Sequence, residues 1–181
     1  MPRLTKIYTR KGDDGYTSIR DNRIAKDDLL IQVVGDIDEL NCAIGMVLSL
    51  PPHRDEVNNN LTQIQQHLFD FGGDMHIPER HSITPEMTQW LENQLDEWNS
   101  TLPSLKEFIL PRGNPASAAC HQARAVCRRA ERSLVKLHRQ VALENPEMLR
   151  YLNRLSDYLF VASRVLAKVS NEEEVMWENE R

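Results

Sequence analysis

The sequence lacks paired cysteines and long apolar runs. Its three cysteines form no C-x-x-C pair, and an odd count is poor material for a disulfide framework. Cys42, Cys120 and Cys127 fall within helical patterns, which predicts that all three are buried as small apolar side chains. No stretch of about 18 apolar residues occurs, and the residues after Met1 do not lead into the apolar core of a signal peptide. We therefore expect a soluble, cytoplasmic protein without a membrane partner.

An excess of basic residues and several well-known ligand motifs are also lacking. The formal net charge is -5 and the pI is near 5.7, so the chain as a whole repels nucleic acid. The absence of G-x-x-x-x-G-K-[ST] excludes a P-loop, and the absence of Glu-x-x-His pairs excludes a ferritin-like di-iron centre. Asp74, His76 and His81 match no strong metal signature, so we expect no metal site built from protein side chains.

Apolar residues recur at helical spacing through most of the chain. The clearest stripe alternates spacings of four and three residues, which suits a bundle seam. It consists of Val57, Leu61, Ile64, Leu68 and Phe71. Comparable stripes occur in four further segments, so the sequence predicts an all-α fold, a five-helix bundle, with an irregular amino-terminal ligand-binding extension.

The chain is predicted to form one domain, because 181 residues suffice for a single sizeable core. Gly72-Gly73 is expected to end the second helix and to open a loop. The acidic end of the chain is expected to be frayed. The predicted divisions of the single domain 1–181 are an irregular segment at 1–25, a helical bundle at 26–170 and an acidic tail at 171–181.

The predicted helix after Asn114 carries the most concentrated charge. Its apolar side holds Ala123, Val126, Cys127, Ala130, Leu134 and Leu137. Its polar side holds His121, Arg124, Arg128, Glu131 and Arg132. A charged helix face is most often solvated surface. However, four arginines and no lysine lie within nine positions, and the arginine fork suits bidentate contacts. This density favours a polyphosphate accompanied by Mg²⁺, or a partner's carboxylate.

The stretch from Lys6 to Ile19 has no helical period. Two short β-favouring pieces flank a turn bracketed by Gly12 and Gly15, where backbone N–H groups and hydroxyls are free to contact a ligand. An ordinary hairpin explains the same residues, so both interpretations stay open at this point.

Six separated blocks resemble the PduO-type ATP:cobalamin adenosyltransferases. They occur in order and with family-like spacing between about Lys6 and Lys168. The blocks are Thr9-Arg10-Lys11-Gly12-Asp13-Asp14-Gly15, Lys26-Asp27-Asp28, Gly35-x-x-Asp38-Glu39-Leu40-Asn41, Phe108-Ile109-Leu110-Pro111, Ala123-Arg124-x-x-Cys127-Arg128-Arg129-Ala130-Glu131-Arg132 and Tyr151-Leu152-Asn153-Arg154-Leu155-Ser156-Asp157-Tyr158-Leu159-Phe160. Six blocks in register make chance a poor explanation.

The resemblance implies a bundle that assembles as a homotrimer, with ATP and the corrinoid bound at the subunit interfaces. It makes residues 1–25 a nucleotide-binding segment. The implied ATP contacts are Thr9, Arg10, Lys11, Gly12, Thr17, Ser18, Lys26, Arg128, Glu131, Arg132 and Asn153. Turn N–H groups and arginines are suited to a triphosphate, and Glu131 would orient an arginine or the water shell of Mg²⁺.

The implied reaction transfers the 5′-deoxyadenosyl group of ATP to the cobalt of cob(I)alamin and releases triphosphate. The implied catalytic residues are Phe108, Arg128 and Asn153. Phe108 would lie below the corrin ring and displace the lower axial ligand, leaving a four-coordinate cobalt(II) that is easier to reduce. Considered alone, Phe108 would be interpreted as a core aromatic. Asp38 would pair with Arg124 across the interface to shape the corrinoid site.

The resemblance further implies two protein partners, a reductase and an acceptor enzyme that uses adenosylcobalamin. Two places depart from the family pattern: many relatives carry glycine pairs where this chain has Arg112-Gly113 and Arg20-Asp21-Asn22. The sequence contains no established constellation of acid, base and nucleophile. A non-catalytic module that binds ATP or delivers a corrinoid is therefore an alternative, as is a structural bundle whose arginines form inter-subunit salt bridges.

Overall fold

The computed structural model describes residues 7–19 and 22–178, in which five α-helices follow a small hairpin. The helices are α1 (Leu29–Ser49), α2 (Asp55–His76), α3 (Pro85–Asn99), α4 (Pro115–Gln140) and α5 (Glu147–Val169). α1 packs against α2 and α4, and α5 packs against α3 and α4. The predicted all-α, five-helix bundle is confirmed.

The hairpin precedes the bundle. Strands β1 (Tyr16–Ile19) and β2 (Asn22–Ala25) are antiparallel, with Tyr16 opposite Ala25 and Ile19 opposite Asn22. The predicted departure at Arg20 and Asp21 lies outside the described residues. The two predicted β-favouring pieces are not the two strands, because β2 lies beyond the stretch that ends at Ile19.

The core follows the apolar stripes. All five residues of the α2 stripe are buried, and Tyr151 and Tyr158 of α5 are the largest side chains fully enclosed. Each fully buried large apolar side chain contributes about 1.5–3 kcal/mol relative to its exposed state. No helix in the described part of the chain combines the length and apolar character that crossing a bilayer requires.

Side-chain caps fix where two of the helices begin. Asp28 accepts from the backbone N–H of Leu30 (2.8 Å) at the start of α1. Asn114 accepts from the N–H of Ser117 (2.9 Å) at the start of α4. Asn114 also donates through Nδ2 to the carbonyl of Leu166 (2.8 Å), which ties the beginning of α4 to the end of α5.

The prediction that Gly72-Gly73 ends the second helix is wrong. α2 continues to His76 because Met75 and Asp74 are buried beyond the glycines. Asp74 Oδ2 accepts from the N–H groups of Ser82 (2.7 Å) and Ile83 (3.0 Å), so the last turn of α2 anchors the next segment. These contacts outweigh a cost of about 1 kcal/mol for each glycine in a helix.

The prediction of a frayed carboxyl-terminal end is also wrong for residues 172–178, here called the carboxyl-terminal segment. Ile109 and Met176 form an antiparallel bridge. The N–H of Leu110 donates to the carbonyl of Val175 (2.9 Å). Acidic composition suggested a solvated end, but backbone pairing and an ion pair between Glu174 and Arg164 hold this segment on the bundle.

The cysteines divide into two kinds. Cys120 and Cys127 are buried as predicted, and their thiols lie 3.3 Å from the carbonyls of Leu159 and Leu152. Burial raises the pKa of Cys120 to about 12 and raises that of Cys127 further. Cys42 is exposed, contrary to the prediction. It lies two positions after Leu40, about 200° around the helix from the stripe.

Candidate active site

The polar side of α4 carries an open cleft of about 540 Å³, here called the cationic cleft. Its lining residues are Arg128, Glu131, Arg132, Val135, Lys136, Arg139 and Gln140. Four of these side chains are cationic and one is a carboxylate, so the cleft is suited to a polyanion. The structure therefore brings together three of the predicted ATP-binding residues, Arg128, Glu131 and Arg132.

Asn153 joins this group from the neighbouring helix. Its Nδ2 donates to Glu131 Oε1 (2.9 Å), which links α5 to the carboxylate at the edge of the cleft. The bond orients the Asn153 amide and directs its carbonyl oxygen away from Glu131. Two residues that are 22 positions apart in sequence are thereby fixed relative to one another.

Arg129 does not line this cleft. Its guanidinium pairs with Glu39, and its Nε lies 3.5 Å from Asp36 Oδ1. Ser133 donates to Asp36 Oδ2 (2.5 Å) in the same cluster. Arg129 lowers the pKa of Glu39, and Glu39 raises the pKa of Arg129. This cluster fastens α4 to α1.

A mainly apolar cleft of about 510 Å³, here called the Phe108 cleft, lies nearer the beginning of α4. Its lining residues are Leu105, Lys106, Glu107, Phe108, Ile109, His121, Arg124 and Phe160. Phe108 is 77% exposed, so the interpretation of this residue as a core aromatic is wrong. A large exposed ring beside a cleft is available to a flat apolar ligand.

A third opening of about 560 Å³ lies between the other two, and we call it the middle cleft. It shares Arg124 and Phe160 with the Phe108 cleft, and it shares Arg128 with the cationic cleft. Asp157 and the buried Arg164 also line it. An anionic ligand and an apolar ligand bound in the outer clefts would therefore meet along one side of α4.

His121 differs from its prediction, because it is 5% exposed and not part of the charged surface. Its Nε2 lies 3.1 Å from Ser163 Oγ, and its ring contacts Phe160 edge-on. Burial, assisted by the nearby Arg124, lowers the pKa of His121 to about 4. A neutral imidazole therefore forms the floor of the Phe108 cleft. The burial of His121 could not be predicted from its spacing, because it depends on how closely α5 packs against the beginning of α4.

The amino-terminal turn is closed by backbone bonds. The N–H of Gly15 donates to the carbonyl of Gly12 (3.3 Å), and the N–H of Lys26 donates to the carbonyl of Gly15 (2.9 Å). Gly15 has a φ of +84°, a conformation that glycine adopts without strain. A Cβ on Gly12 would lie 3.0 Å from Lys26 Nζ, so the ammonium rests directly against the turn.

Other predicted residues of this region lie nearby. Thr9 Oγ1 accepts from the N–H of Lys11 (3.5 Å), and Arg10 has a positive φ of 62°. Thr17 and Ser18 belong to β1. None of the three clefts along α4 is lined by Thr9, Arg10, Lys11, Gly12, Thr17, Ser18 or Lys26. The structure thus presents the predicted ATP contacts as two separate groups.

Asp38 and Arg124 are likewise not paired within one chain. Asp38 is exposed on α1. Arg124 Nε is enclosed and has no hydrogen-bond partner among the residues that the structure describes. A guanidinium left short of an acceptor costs free energy, which a carboxylate supplied from elsewhere would recover.

Phe160, Trp177 and Arg164 are residues near the site that sequence reasoning did not assign. Phe160 closes the last family-like block, so its position in that block was an available signal. Trp177 lies with its ring 6.3 Å from that of Phe108 and was visible only as an apolar residue in an acidic tail. No local pattern distinguishes Arg164 from a surface arginine.

The family model for cobalamin adenosyltransferase matches residues 7–166. The chain belongs to this family. It is 45% identical over 180 residues to a cobalamin adenosyltransferase from Cupriavidus metallidurans, covering 99% of this chain and 97% of the relative. It is 40% identical to the human corrinoid adenosyltransferase MMAB, covering 99% of this chain and 76% of the relative.

Solved structures of family members have the same fold. A variant PduO-type ATP:corrinoid adenosyltransferase from Lactobacillus reuteri, complexed with cobalamin and ATP, superposes with a TM-score of 0.90 and 38% identity. The superposition covers 96% of this chain and 100% of that one. A second variant of the Lactobacillus reuteri protein, complexed with ATP, gives a TM-score of 0.88, covering 95% of this chain and 100% of that one. The resemblance predicted from the six blocks is confirmed.

Proposed function

We propose that the chain transfers the 5′-deoxyadenosyl group of ATP to the cobalt of cob(I)alamin, giving adenosylcobalamin and triphosphate. Family membership supports this adenosyl transfer. The structural observation that carries the proposal is the pair of clefts on α4, one cationic and one mainly apolar, that the middle cleft connects through Arg124 and Arg128. ATP supplies the polyanion, and the corrin ring supplies the flat apolar ligand.

In this proposal the cobalt is the nucleophile and attacks C5′ of the ribose. The cobalt–carbon bond forms with two electrons from cobalt(I), and the C5′–oxygen bond breaks, so that its electron pair leaves with the triphosphate. The protein therefore needs to position two substrates and to stabilise developing charge on the leaving group. Arg128 and Arg132 are suited to the second task, because guanidinium forks bind phosphate oxygens bidentately.

Asn153 and Glu131 are assigned to orientation. Glu131 accepts from Asn153 Nδ2 and so fixes the amide whose carbonyl oxygen can accept from a ribose hydroxyl. A hydroxyl held by a fixed acceptor keeps C5′ in line with the attacking cobalt, and alignment of this kind contributes strongly to rate. Arg128, Asn153 and Phe108 are thus the proposed catalytic residues.

Phe108 is assigned to the lower face of the corrin ring. Its exposed ring and the apolar lining of the Phe108 cleft would exclude a polar lower ligand from the cobalt. A cobalt(II) without that ligand is easier to reduce to the nucleophilic cobalt(I) state. His121 is suited to the floor of this cleft because it is neutral, and a neutral imidazole adds no charge below the ring.

The active unit is proposed to be a homotrimer. The amino-terminal turn and the cationic cleft are separate on one chain, so a neighbouring copy would supply Thr9, Arg10, Lys11, Gly12, Thr17, Ser18 and Lys26. The exposed Asp38 of one copy would also reach Arg124 of another, whose Nε has no acceptor among the described residues. Both assignments explain features that a single chain leaves incomplete.

Mg²⁺ is proposed to enter with the phosphates of ATP. The described residues hold no group of three or more His, Cys, Asp or Glu side chains that would bind a metal. Glu131 is the single carboxylate lining the cationic cleft. One carboxylate together with substrate phosphates and water is a donor set that fits Mg²⁺.

Two protein partners follow from the chemistry proposed. A reductase must supply the electron that produces cob(I)alamin, and an acceptor enzyme must use the adenosylcobalamin. A cytoplasmic location for these encounters stays a prediction.

The decisive experiment is an absorbance time course of the purified protein with Mg-ATP and chemically reduced cob(I)alamin. The expected result is conversion to the light-sensitive spectrum of adenosylcobalamin, dependent on both protein and ATP, with release of triphosphate. Binding of ATP and corrinoid without conversion would instead support the non-catalytic module. Calorimetric titration of ATP into the same preparation separates that outcome from an inactive protein.

A further inference from the structure

The carboxyl-terminal segment (residues 172–178) holds the backbone of Phe108. The N–H of Trp177 donates to the carbonyl of Phe108 (2.7 Å), and the N–H of Leu110 donates to the carbonyl of Val175 (2.9 Å). The rings of Phe108 and Trp177 are 6.3 Å apart. The position of Phe108 therefore depends on a segment that lies more than 60 residues later in the sequence.

Arg164 connects this segment to the bundle. Its Nε donates to Glu174 Oε1 (2.5 Å), and its Nη2 donates to Glu174 Oε2 (3.0 Å). The same Nη2 donates to the carbonyl of Pro103 (2.7 Å), which lies before Phe108 in the connection between α3 and α4, here called the Phe108 loop. The Arg164 side chain thus forms hydrogen bonds both to the backbone before Phe108 and to the segment that pairs with Phe108.

The buried environment of Arg164 strengthens these hydrogen bonds and fixes their geometry. The residue is 4% exposed, so water competes poorly for its donors. A buried bidentate guanidinium–carboxylate pair is geometrically specific, and loss of one partner leaves an uncompensated charge. Arg164 also stands four residues after Phe160 on α5, so the helix that forms part of the Phe108 cleft carries the anchor as well.

We propose that Arg164 is a positioning residue for adenosyl transfer, which acts through Glu174 and the carboxyl-terminal segment to hold Phe108 in place. This inference rests on the role proposed above for Phe108. Arg164 does not contact the reacting atoms in this scheme, because its fork is occupied by Glu174 and Pro103. Glu174 shares this positioning role, because it is the carboxylate that accepts from Arg164.

The first test measures position without activity. Glu174→Gln keeps the shape of the side chain but removes its charge. Hydrogen exchange at the amides of Leu110 and Trp177 is expected to accelerate about tenfold, because both amides pair across the two segments. The matched control is Glu92→Gln. Glu92 of α3 pairs with Arg154 of α5 (Nε to Oε1, 2.8 Å), so this substitution removes a comparable carboxylate from the helix that also carries Arg164. Unchanged exchange in Glu174→Gln would overturn the proposal.

The second test asks whether the effect passes through Phe108. Glu174→Gln is expected to lower kcat about fivefold to tenfold and to change the KM for ATP less than about twofold. In a Phe108→Ala background the same substitution should lower kcat little further, because the ring to be positioned is gone. Arg164→Lys retains the positive charge but loses the planar fork, so its kcat should fall between that of the parent and that of Glu174→Gln. Glu174→Asp replaces Glu174→Gln if the latter does not fold.

The outcomes separate the two proposals. If Phe108→Ala lowers kcat and Glu174→Gln multiplies that loss independently, the positioning role is overturned while the role of Phe108 stands. If Phe108→Ala itself leaves kcat unchanged, the role of Phe108 falls and the positioning role falls with it.

Discussion

The cationic cleft and the Phe108 cleft are built in different ways. The cationic cleft is carried by the surface of one regular helix, because all seven of its lining residues lie between Arg128 and Gln140 of α4. The Phe108 cleft combines a loop, two helices and, behind Phe108, the carboxyl-terminal segment. A single helix can thus form a charged site, whereas this mainly apolar site requires contacts between distant parts of the chain.

The two clefts should respond differently to the substitution of single residues. Long side chains on a rigid helix hold their charges near one another even when a neighbour is altered. The Phe108 loop has no helix of its own and is held by two backbone bonds and by the buried Arg164 fork. Substitutions near the cationic cleft should therefore affect one contact each, while substitutions around Phe108 should shift the loop as a unit.

The largest effect is expected from Arg128→Ala. Removing a cation that faces the leaving triphosphate should lower kcat about 10²- to 10³-fold. Steady-state kinetics with Mg-ATP and cob(I)alamin measure it, with Arg150→Ala as control because Arg150 is an exposed arginine of α5 that forms an ion pair with Glu147. A mutant that assembles poorly in size-exclusion chromatography yet binds ATP normally would favour a purely structural role for this arginine.

Phe108→Ala should have the next largest effect. We expect kcat to fall about 10- to 100-fold while the ATP dissociation constant stays within about twofold, because the ring acts on the corrinoid and not on the nucleotide. Phe69→Ala is the matched control, since Phe69 is also an exposed phenylalanine, 71% accessible, on α2. Equal loss of ATP binding and rate would contradict the separation of the two clefts.

A smaller effect is expected from salt, which should raise the KM for ATP more than the KM for cob(I)alamin. Raising KCl from about 0.05 to 0.3 M is expected to raise the KM for ATP about threefold, because exposed charge contacts are weak and screened. The KM for cob(I)alamin should rise less, and Arg132→Gln should reduce the salt dependence for ATP. Equal salt sensitivity for both substrates would argue against a mainly apolar corrinoid site.

The smallest expected effect concerns pH and the floor of the Phe108 cleft. The pKa of His121 is lowered from 6.5 to about 4 in the folded protein, so between these values the unfolded chain binds more protons. Its contribution to stability is therefore complete above about pH 6.5 and is lost as the pH falls towards 4. Urea unfolding should show a steeper loss in the parent than in His121→Asn, by about 1 kcal/mol per pH unit at most. Parallel profiles would mean that His121 is not enclosed as described.

Local pattern determined much of the bundle and the charged half of the site. The α2 stripe of Val57 to Phe71 is buried as its spacing predicts, because one face of a helix can be read from intervals of three and four residues. Arg128 and Arg132 are one turn apart by the same geometry. Three of the six blocks that indicated the family lie on α1, α4 and α5, and the other three lie in turns and loops.

What only the tertiary structure decided is where non-local contacts override local preference. The burial of Asp74 and Met75 carries α2 through two glycines, and the fork of Arg164 turns an acidic end into an ordered segment. His121 is enclosed against Ser163 and Phe160 of α5, although its spacing groups it with the polar side of α4. A sequence specifies which residues share a helix face, since that depends on intervals along the chain. It does not specify which distant groups meet, since that depends on how the faces pack.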